Sequence, residues 1–392
     1  MALDYVTSRP HRRRRRVEIA GARDVVRTFD WILFGAVLAL VAYGIHLVAG
    51  ITSDDVPGSP DYYMVRQTVY AAIGCLGMLG LSLVDPDFFR RYWRPLYGAS
   101  VLMLLLVLPF GSEARGSQRW ISFGSFQFQP SEVVKLLLVL AVGGFLADRF
   151  RRIAEWRVVL TAIALAMTPT LLVFFQPDIG TSLVYGAALA AMLFVAGARW
   201  LHVGILLLIV ALMPPTIIWF LPAVGADILE PYQRARLTAF VDPGSDPQGT
   251  TYNLEQSILA IGAGGLRGRG VENATQTNLD YLPEHATDFA FASLAEQRGF
   301  VGAAILLLLY LLVVWRGLRV TTLASDAYSA IIAGAIVFAL LFQIFINVGM
   351  TMGIAPVTGI PLPFVSVGGS SLVTNLLAIG VLQAIHARGR RR

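Results

Sequence analysis

The sequence predicts an all-α polytopic membrane protein of about ten transmembrane helices, and three observations carry that prediction. The chain is 56% hydrophobic and only 14% charged, with a mean hydropathy of +0.65 over 392 residues, too apolar for water and far too long for a single anchor. Ten apolar runs approach the roughly 20 residues that cross a hydrocarbon core. The arginines collect in alternate gaps between those runs.

In order, the runs cover 30–50, 63–84, 95–110, 131–147, 158–175, 180–197, 203–222, 288–315, 326–350 and 368–386. Mostly polar residues precede the first run, so no cleavable signal peptide is expected and the first span serves as an uncleaved anchor. HRRRRR at 11–16 lies so close to that span that attraction to anionic lipid is expected, with no nucleic acid as partner. Pro214-Pro215 interrupts the seventh run, which neighbouring helices can accommodate. The organisation is thus a basic tail (1–29), one transmembrane domain (30–386) and a second basic tail (387–392).

Arginine sets the orientation. With both termini cytoplasmic, 22 of the 31 Lys+Arg fall inside, including those of DPDFFRRYWR, RFRRIAEWR and HARGRRR. The outer segments are then 51–62, 111–130, a turn near 176–180, the long loop 223–287 between spans seven and eight, and 351–367. Most of the unusual sequence lies there, so one external site is expected. The single cysteine, Cys75, and five scattered histidines exclude a disulfide, a thiolate metal cluster and a zinc motif. The chain has no convincing internal repeat, which counts against a transporter built from inverted halves.

Asp288, in YLPEHATDFAF, stands with Thr287 where the eighth run begins, so a helix cap is one reading. Its neighbours Glu284 and Glu296 favour a second, an ionised base at the water edge. Glu132 and Lys135 form an i,i+3 pair at the start of the fourth span after Gln129-Pro130, either a structural ion pair or a lysine facing an anionic group. Asp178, in FQPDIGT, caps the sixth helix, pairs with an arginine or holds a cation; a site-lining structural role is preferred. GAGGLRGRG at 262–270 does not fit a dinucleotide fingerprint, yet its backbone and its Arg267 and Arg269 suit a phosphate. Arg115 and Arg119, beside Trp120, offer further cations. PVTGIPLPFVSVGGSS (356–371) resists regular helix and is expected to enter the last span by a bent, partly re-entrant path, with Asn347 satisfying freed backbone groups nearby.

QRWISFGSFQFQPSEVVK, QPDIGT, YNLEQSILAIGAGGLRGRG, TQTNLDYLPEHATDFAF and NVGMTMGIAPVTGIPLPFVSVGGSSLVTN closely resemble the SEDS family, the shape, elongation, division and sporulation proteins of bacteria. The resemblance runs from about residue 30 to 386, and NVGM followed by PVTGIPLPF is more like the RodA branch than the FtsW branch. It implies a multi-pass protein of the bacterial cytoplasmic membrane that polymerises lipid II into glycan strands on the outer face, for elongation and shape. It places the key aspartate on Asp288, the acid and lysine of QPSExxK on Glu132 and Lys135, and a further acid on Asp178. Arg119, Arg267, Arg269, Glu284, Thr287 and Ser257 are the other expected site-lining residues. A class B penicillin-binding protein is the implied partner, with other elongation-complex proteins and membrane lipids, and a divalent cation (Mg2+ or Mn2+) is the implied cofactor. The chain departs from the family at His285, displaced by one position, at Gly268-Arg269-Gly270 in place of GKG, and at Val367, which removes a hydroxyl. Two rival readings are a lipid II flippase, which would want charged groups near mid-depth, and a scaffold for the transpeptidase.

Overall fold

The structure, a computed structural model, describes residues 28–53, 55–114, 117–124, 126–216, 250–279 and 281–390. In chain order its helices are α1 (Trp31–Ile51), α2 (Tyr62–Ser82), the short α3 (Pro86–Arg91), α4 (Trp93–Phe110), α5 (Pro130–Asp148), α6 (Trp156–Phe175), α7 (Ile179–Val195), α8 (Trp200–Pro215), α9 (Thr250–Gly264), α10 (Thr275–Asn278), α11 (Ala290–Thr322), α12 (Ala327–Thr351) and α13 (Gly369–Gly389). Among the described residues eight of these are long and apolar enough to cross a membrane; α7 and α8, at 17 and 16 residues, stand where the sixth and seventh spans are expected. The basic tail before Thr28, Arg115, and 217–249 of the seventh run and long loop lie outside the described residues.

Burial separates centre from rim. Nearly every residue of α5 and α13, and most of α12, is buried, whereas α2 and α4 turn Val65, Val69, Leu76, Leu102 and Leu108 outward. Helices that are apolar all round occupy the middle of such a bundle, and outward apolar side chains are what lipid requires. α13 lies along α2, α12 along α7 and α11, and α4 along α5.

The arginine-rich ends of the helices meet at one end of the bundle. Asp30 caps α1 by accepting from the Leu33 N–H at 3.1 Å, and its Oδ2 accepts from Arg316 Nε and Nη2 at 3.0 and 2.6 Å. Gln383 of α13 closes the same knot, with bonds of 2.9 and 3.0 Å to the Asp30 backbone. Arg388 pairs with Asp85 and Asp87, and Arg90 with Asp148 at 3.1 Å. The unusual sequence gathers at the other end.

Two features at that other end were not legible as secondary structure. First, β1 (Ser112–Ala114), β2 (Ser117–Phe123) and β3 (Phe126–Phe128) form a small antiparallel sheet, the only strands among the described residues. Trp120-Ile121-Ser122-Phe123 and Phe126-Gln127-Phe128 flank Gly124, whose φ of +59° makes the hairpin turn and sets Ile121 opposite Phe128. Second, α11 is two helices. Gly299 breaks it at φ +64°, ψ −165°, so the span expected over 288–315 starts at Phe300, after a separate short helix over 290–298. A broken helix leaves backbone groups that a membrane cannot satisfy. Here the glycine-rich loop supplies them: the N–H groups of Phe300 and Val301 donate to the carbonyls of Gly265 and Leu266 (2.9 and 3.2 Å), and those of Arg269 and Gly270 donate to the carbonyls of Glu296 and Gln297 (2.9 and 3.0 Å).

Candidate functional site

The segment 352–368 organises the site. As its prolines suggested, it forms no regular helix, and it is packed inside the protein: Leu362, Phe364 and Val365 are buried, and Tyr310 donates its hydroxyl to the Pro363 carbonyl. A Cβ on Gly44 of α1 would stand 2.6 Å from the Phe364 carbonyl, so only glycine admits this approach. The segment therefore dips between α1 and α11. Irregular backbone survives at such depth when protein surrounds it.

Asp288 lies against this segment, partly exposed. It does not cap a helix. The short helix of α11 begins at Ala290, Phe289 is its N-cap residue, and no side chain caps it, because the residues from Pro283 to Phe289 form consecutive turns. Glu284 starts those turns at φ +58°, its carbonyl accepting from the N–H groups of Thr287 and Phe289 and its carboxylate from Thr287 Oγ1 at 2.7 Å. The Ala286 carbonyl accepts from Val367 N–H at 2.9 Å, and that of Thr287 from Ser366 Oγ at 2.5 Å. Asn347 of α12 donates from Nδ2 to the carbonyls of both Asp288 (2.9 Å) and Ile360 (2.8 Å), the backbone duty its position suggested. His285 is buried, with Nε2 3.3 Å from Asp55 Oδ1.

Glu296 is not a neighbour of this acid in function. It is wholly buried and accepts from Gln276 N–H, Thr277 N–H and Thr277 Oγ1 at 2.8 to 3.1 Å, so it caps α10. A helix start leaves unpaired N–H groups, and a carboxylate supplied by another element meets that need as well as a local cap does.

A second cluster forms where α5 and α7 begin. Asp178 caps α7 through the Thr181 N–H at 3.1 Å, accepts from Gln129 Nε2 at 3.0 Å and Ser131 Oγ at 3.3 Å, and lies 3.8 Å from Arg119 of β2. Cap and arginine partner are thus both right, and this acid joins three chain segments. One turn into α5, Lys135 Nζ bonds Glu132 Oε2 at 2.9 Å and Gln343 Oε1 of α12 at 3.0 Å, all three residues being buried. Beside it is a cavity of about 20 Å³ lined by Gln343, Thr374 and Asn375, enough for one water. The two clusters join through glycine: a Cβ on Gly180 would stand 2.7 Å from the Thr358 carbonyl, which brings the Asp178 turn onto the 352–368 segment. Gln129 N–H adds a 3.0 Å bond to Ser370 Oγ.

Two expected site residues, Ser257 and Arg269, serve elsewhere. Ser257 is buried and donates to the Thr351 carbonyl at 2.8 Å, fastening α9 to α12. The glycine-rich loop approaches backbone, but that of α11: Cβ atoms on Gly264 and Gly268 would stand 1.9 Å from the Ala295 carbonyl and 2.2 Å from the Gln297 carbonyl. Arg269 bonds the Ala263 carbonyl and Thr275 Oγ1, both at 3.2 Å, while Arg267 is exposed. Gln343, and Gln67, which donates to the Ser366 carbonyl at 3.0 Å, were the positions a residue-by-residue reading left out. Their signal is an amide inside an apolar run, which must find a partner.

Fold and site together define a multi-pass helical membrane protein with acids and amides converging around a buried irregular segment, at the end of the bundle away from the Arg90, Arg316 and Arg388 ion pairs. Residues 27–391 match the family described as cell cycle protein, FtsW/RodA/SpoVE, and the chain belongs to that family. Peptidoglycan glycosyltransferase MrdB of Escherichia coli is 37% identical over 351 residues, 89% of this chain and 91% of its own. Stage V sporulation protein E of Bacillus subtilis is 35% identical over 359 residues, 90% of this chain and 95% of its own. Among solved structures, a chain of a peptidoglycan synthase complex that couples polymerization and crosslinking superposes with a TM-score of 0.77 at 31% identity, over 93% of this chain and 99% of that one. The rod shape determining protein RodA of Thermus thermophilus gives 0.66 at 30% identity, over 93% and 98%.

Proposed function

We propose that this chain is a peptidoglycan glycosyltransferase that polymerises lipid II on the outer face of the bacterial cytoplasmic membrane, serves elongation and shape, and works beside a class B penicillin-binding transpeptidase. The observation that carries the reading is the placement of Asp288. Its backbone is held from α12 and its turn from the buried irregular segment, while its residue keeps access to the surface.

In the reaction, the 4-hydroxyl oxygen of the acceptor sugar attacks the anomeric carbon of the donor. Asp288 takes the hydroxyl proton, a C–O bond forms, the bond from the anomeric carbon to the diphosphate oxygen breaks, and undecaprenyl diphosphate leaves with inversion. A positioned base contributes about 10² to 10⁴-fold. Cations placed near the leaving diphosphate stabilise its charge. Arg267 is exposed and Arg119 partly so, whereas Lys135 is held inside the bundle by Glu132 and Gln343, so the two arginines are the candidates for that role.

Mg2+ or Mn2+ is proposed as a cation shared with the substrate. Among the described residues no group of three or more His, Cys, Asp or Glu is arranged to hold a metal ion. A hard cation bound by one or two carboxylates completes its shell with substrate phosphates and water.

The test is lipid II polymerisation by purified protein in detergent, with and without the partner transpeptidase, comparing wild type with Asp288→Asn. Detergent removes the second leaflet, so glycan product from the wild type separates polymerisation from flipping. Loss of product in a variant that stays folded is the expected outcome; an active Asp288→Asn would refute the reading.

A further inference from the structure

We infer that Asn347 is a positioning residue for Asp288, and that α12 carries with Gln343 a polar spine holding the two halves of the site in register; this rests on the reading of Asp288 given above. The spine follows from helical spacing. Gln343 and Asn347 are one turn apart and so share a face of α12. Gln343 accepts from Lys135, whose own partner is Glu132, at the α5 side of the site. Asn347 reaches the Asp288 side. Both residues are almost fully buried within an apolar helix, where an amide is costly unless its bonds are made.

The geometry at Asn347 is specific. Its Nδ2 carries two N–H groups, and each has one carbonyl, Asp288 at 2.9 Å and Ile360 at 2.8 Å. The flipped amide would set Oδ1 against two carbonyl oxygens, so the orientation is fixed by the bonds themselves. One side chain thereby clamps the turn bearing the base to the buried segment. Both turn and segment are irregular, so neither has a helical ladder of its own to fix it. Val367 N–H and Ser366 Oγ bond turn and segment to each other, and Asn347 is the side chain that ties both to the regular helix α12. The spine deals with residues whose chemistry lies elsewhere: Asn347 touches the main chain of Asp288, not the reacting atoms.

The experiment measures kcat and KM for lipid II polymerisation by the full chain with its partner transpeptidase, for wild type, Asn347→Leu, Asn347→Asp and Asp288→Asn. Asn347→Leu keeps the volume and removes both bonds. Its kcat should fall about 10- to 100-fold, as expected for a base displaced by a fraction of an ångström to one ångström, while KM stays within about twofold. Asn347→Asp adds a readout that a purely structural role does not move. Protonated, the new carboxyl donates one bond; ionised, it sets an anion against the two carbonyls, so the ratio of its activity to wild type should fall as pH rises. Tyr328→Phe is the control: it removes a buried bond, from Tyr328 OH to the Leu140 carbonyl, at the opposite end of the same helix, and should leave kcat unchanged. Asn347→Leu with wild-type kcat overturns the inference. Should that variant fail to fold, a pH-independent activity ratio for Asn347→Asp overturns it instead. An active Asp288→Asn would bring down the functional reading, a separate result.

Discussion

Gly299→Ala tests whether the break in α11 is built by the glycine-rich loop. A Cβ at position 299 would lie 2.3 Å from the Gly268 nitrogen and 2.7 Å from the Arg267 carbonyl carbon, both backbone atoms that no rotamer change can move aside. The conformation itself, φ +64° and ψ −165°, belongs to a region open essentially to glycine alone and costs about 1–3 kcal/mol for other residues. Four backbone hydrogen bonds join the broken ends to 265–270. If relief of the clash sacrifices two of them, at about 0.5–1.5 kcal/mol each, another 1–3 kcal/mol is lost. The middle of the combined range is about 4 kcal/mol, near a thousandfold in a local opening equilibrium. Hydrogen–deuterium exchange in detergent reads this directly, through the amides of Arg269, Gly270, Phe300 and Val301. Gly186→Ala, where nothing lies within 4 Å of the added carbon, is the matched control and should hold or gain stability, by up to about 1 kcal/mol. Unchanged protection at those amides in Gly299→Ala would refute the argument. The short helix over 290–298 carries the Asp288 turn, so turnover should fall with protection.

Two further outcomes concern buried charge. Arg316→Met leaves Asp30 buried without its main partner and should destabilise by about 3–5 kcal/mol, measured as thermal unfolding in detergent, with turnover per folded molecule unchanged because the pair lies at the end of the bundle away from Asp288. Glu132→Gln and Lys135→Met should each destabilise more than the double variant, since either single change strands a buried ion; an additive cycle would show that the 2.9 Å pair is not coupled.

Much of the site was readable from residue types. Acids, amides and arginines are costly in hydrocarbon, so Glu132, Lys135, Asp178 and Asp288 stood out against their apolar surroundings, and the first three indeed take the ion-pair and capping partners their neighbours suggested. The misreadings share one cause. Asp288 resembled a helix cap because the apolar run continues past it, but hydropathy has no sign for the turns over 283–289 that delay the helix to Ala290, nor for the break that glycine makes at 299. Glu296 resembled company for Asp288 because both lie in that run, yet it faces α10. The loop at 262–270 resembled a ligand cradle because close approach requires glycine whatever is approached, and here it is the α11 backbone.

By itself the sequence determined the class of protein, the order of its apolar helices and the end of the bundle at which its polar residues collect. Those properties follow from transfer free energies, which each segment carries alone. Tertiary structure decided which acid keeps access to the surface, which is consumed as a cap, and which amide holds Asp288 in place. Such assignments depend on what stands opposite each group once the helices pack, because a buried polar atom is satisfied by its partner in space rather than its neighbour in the chain.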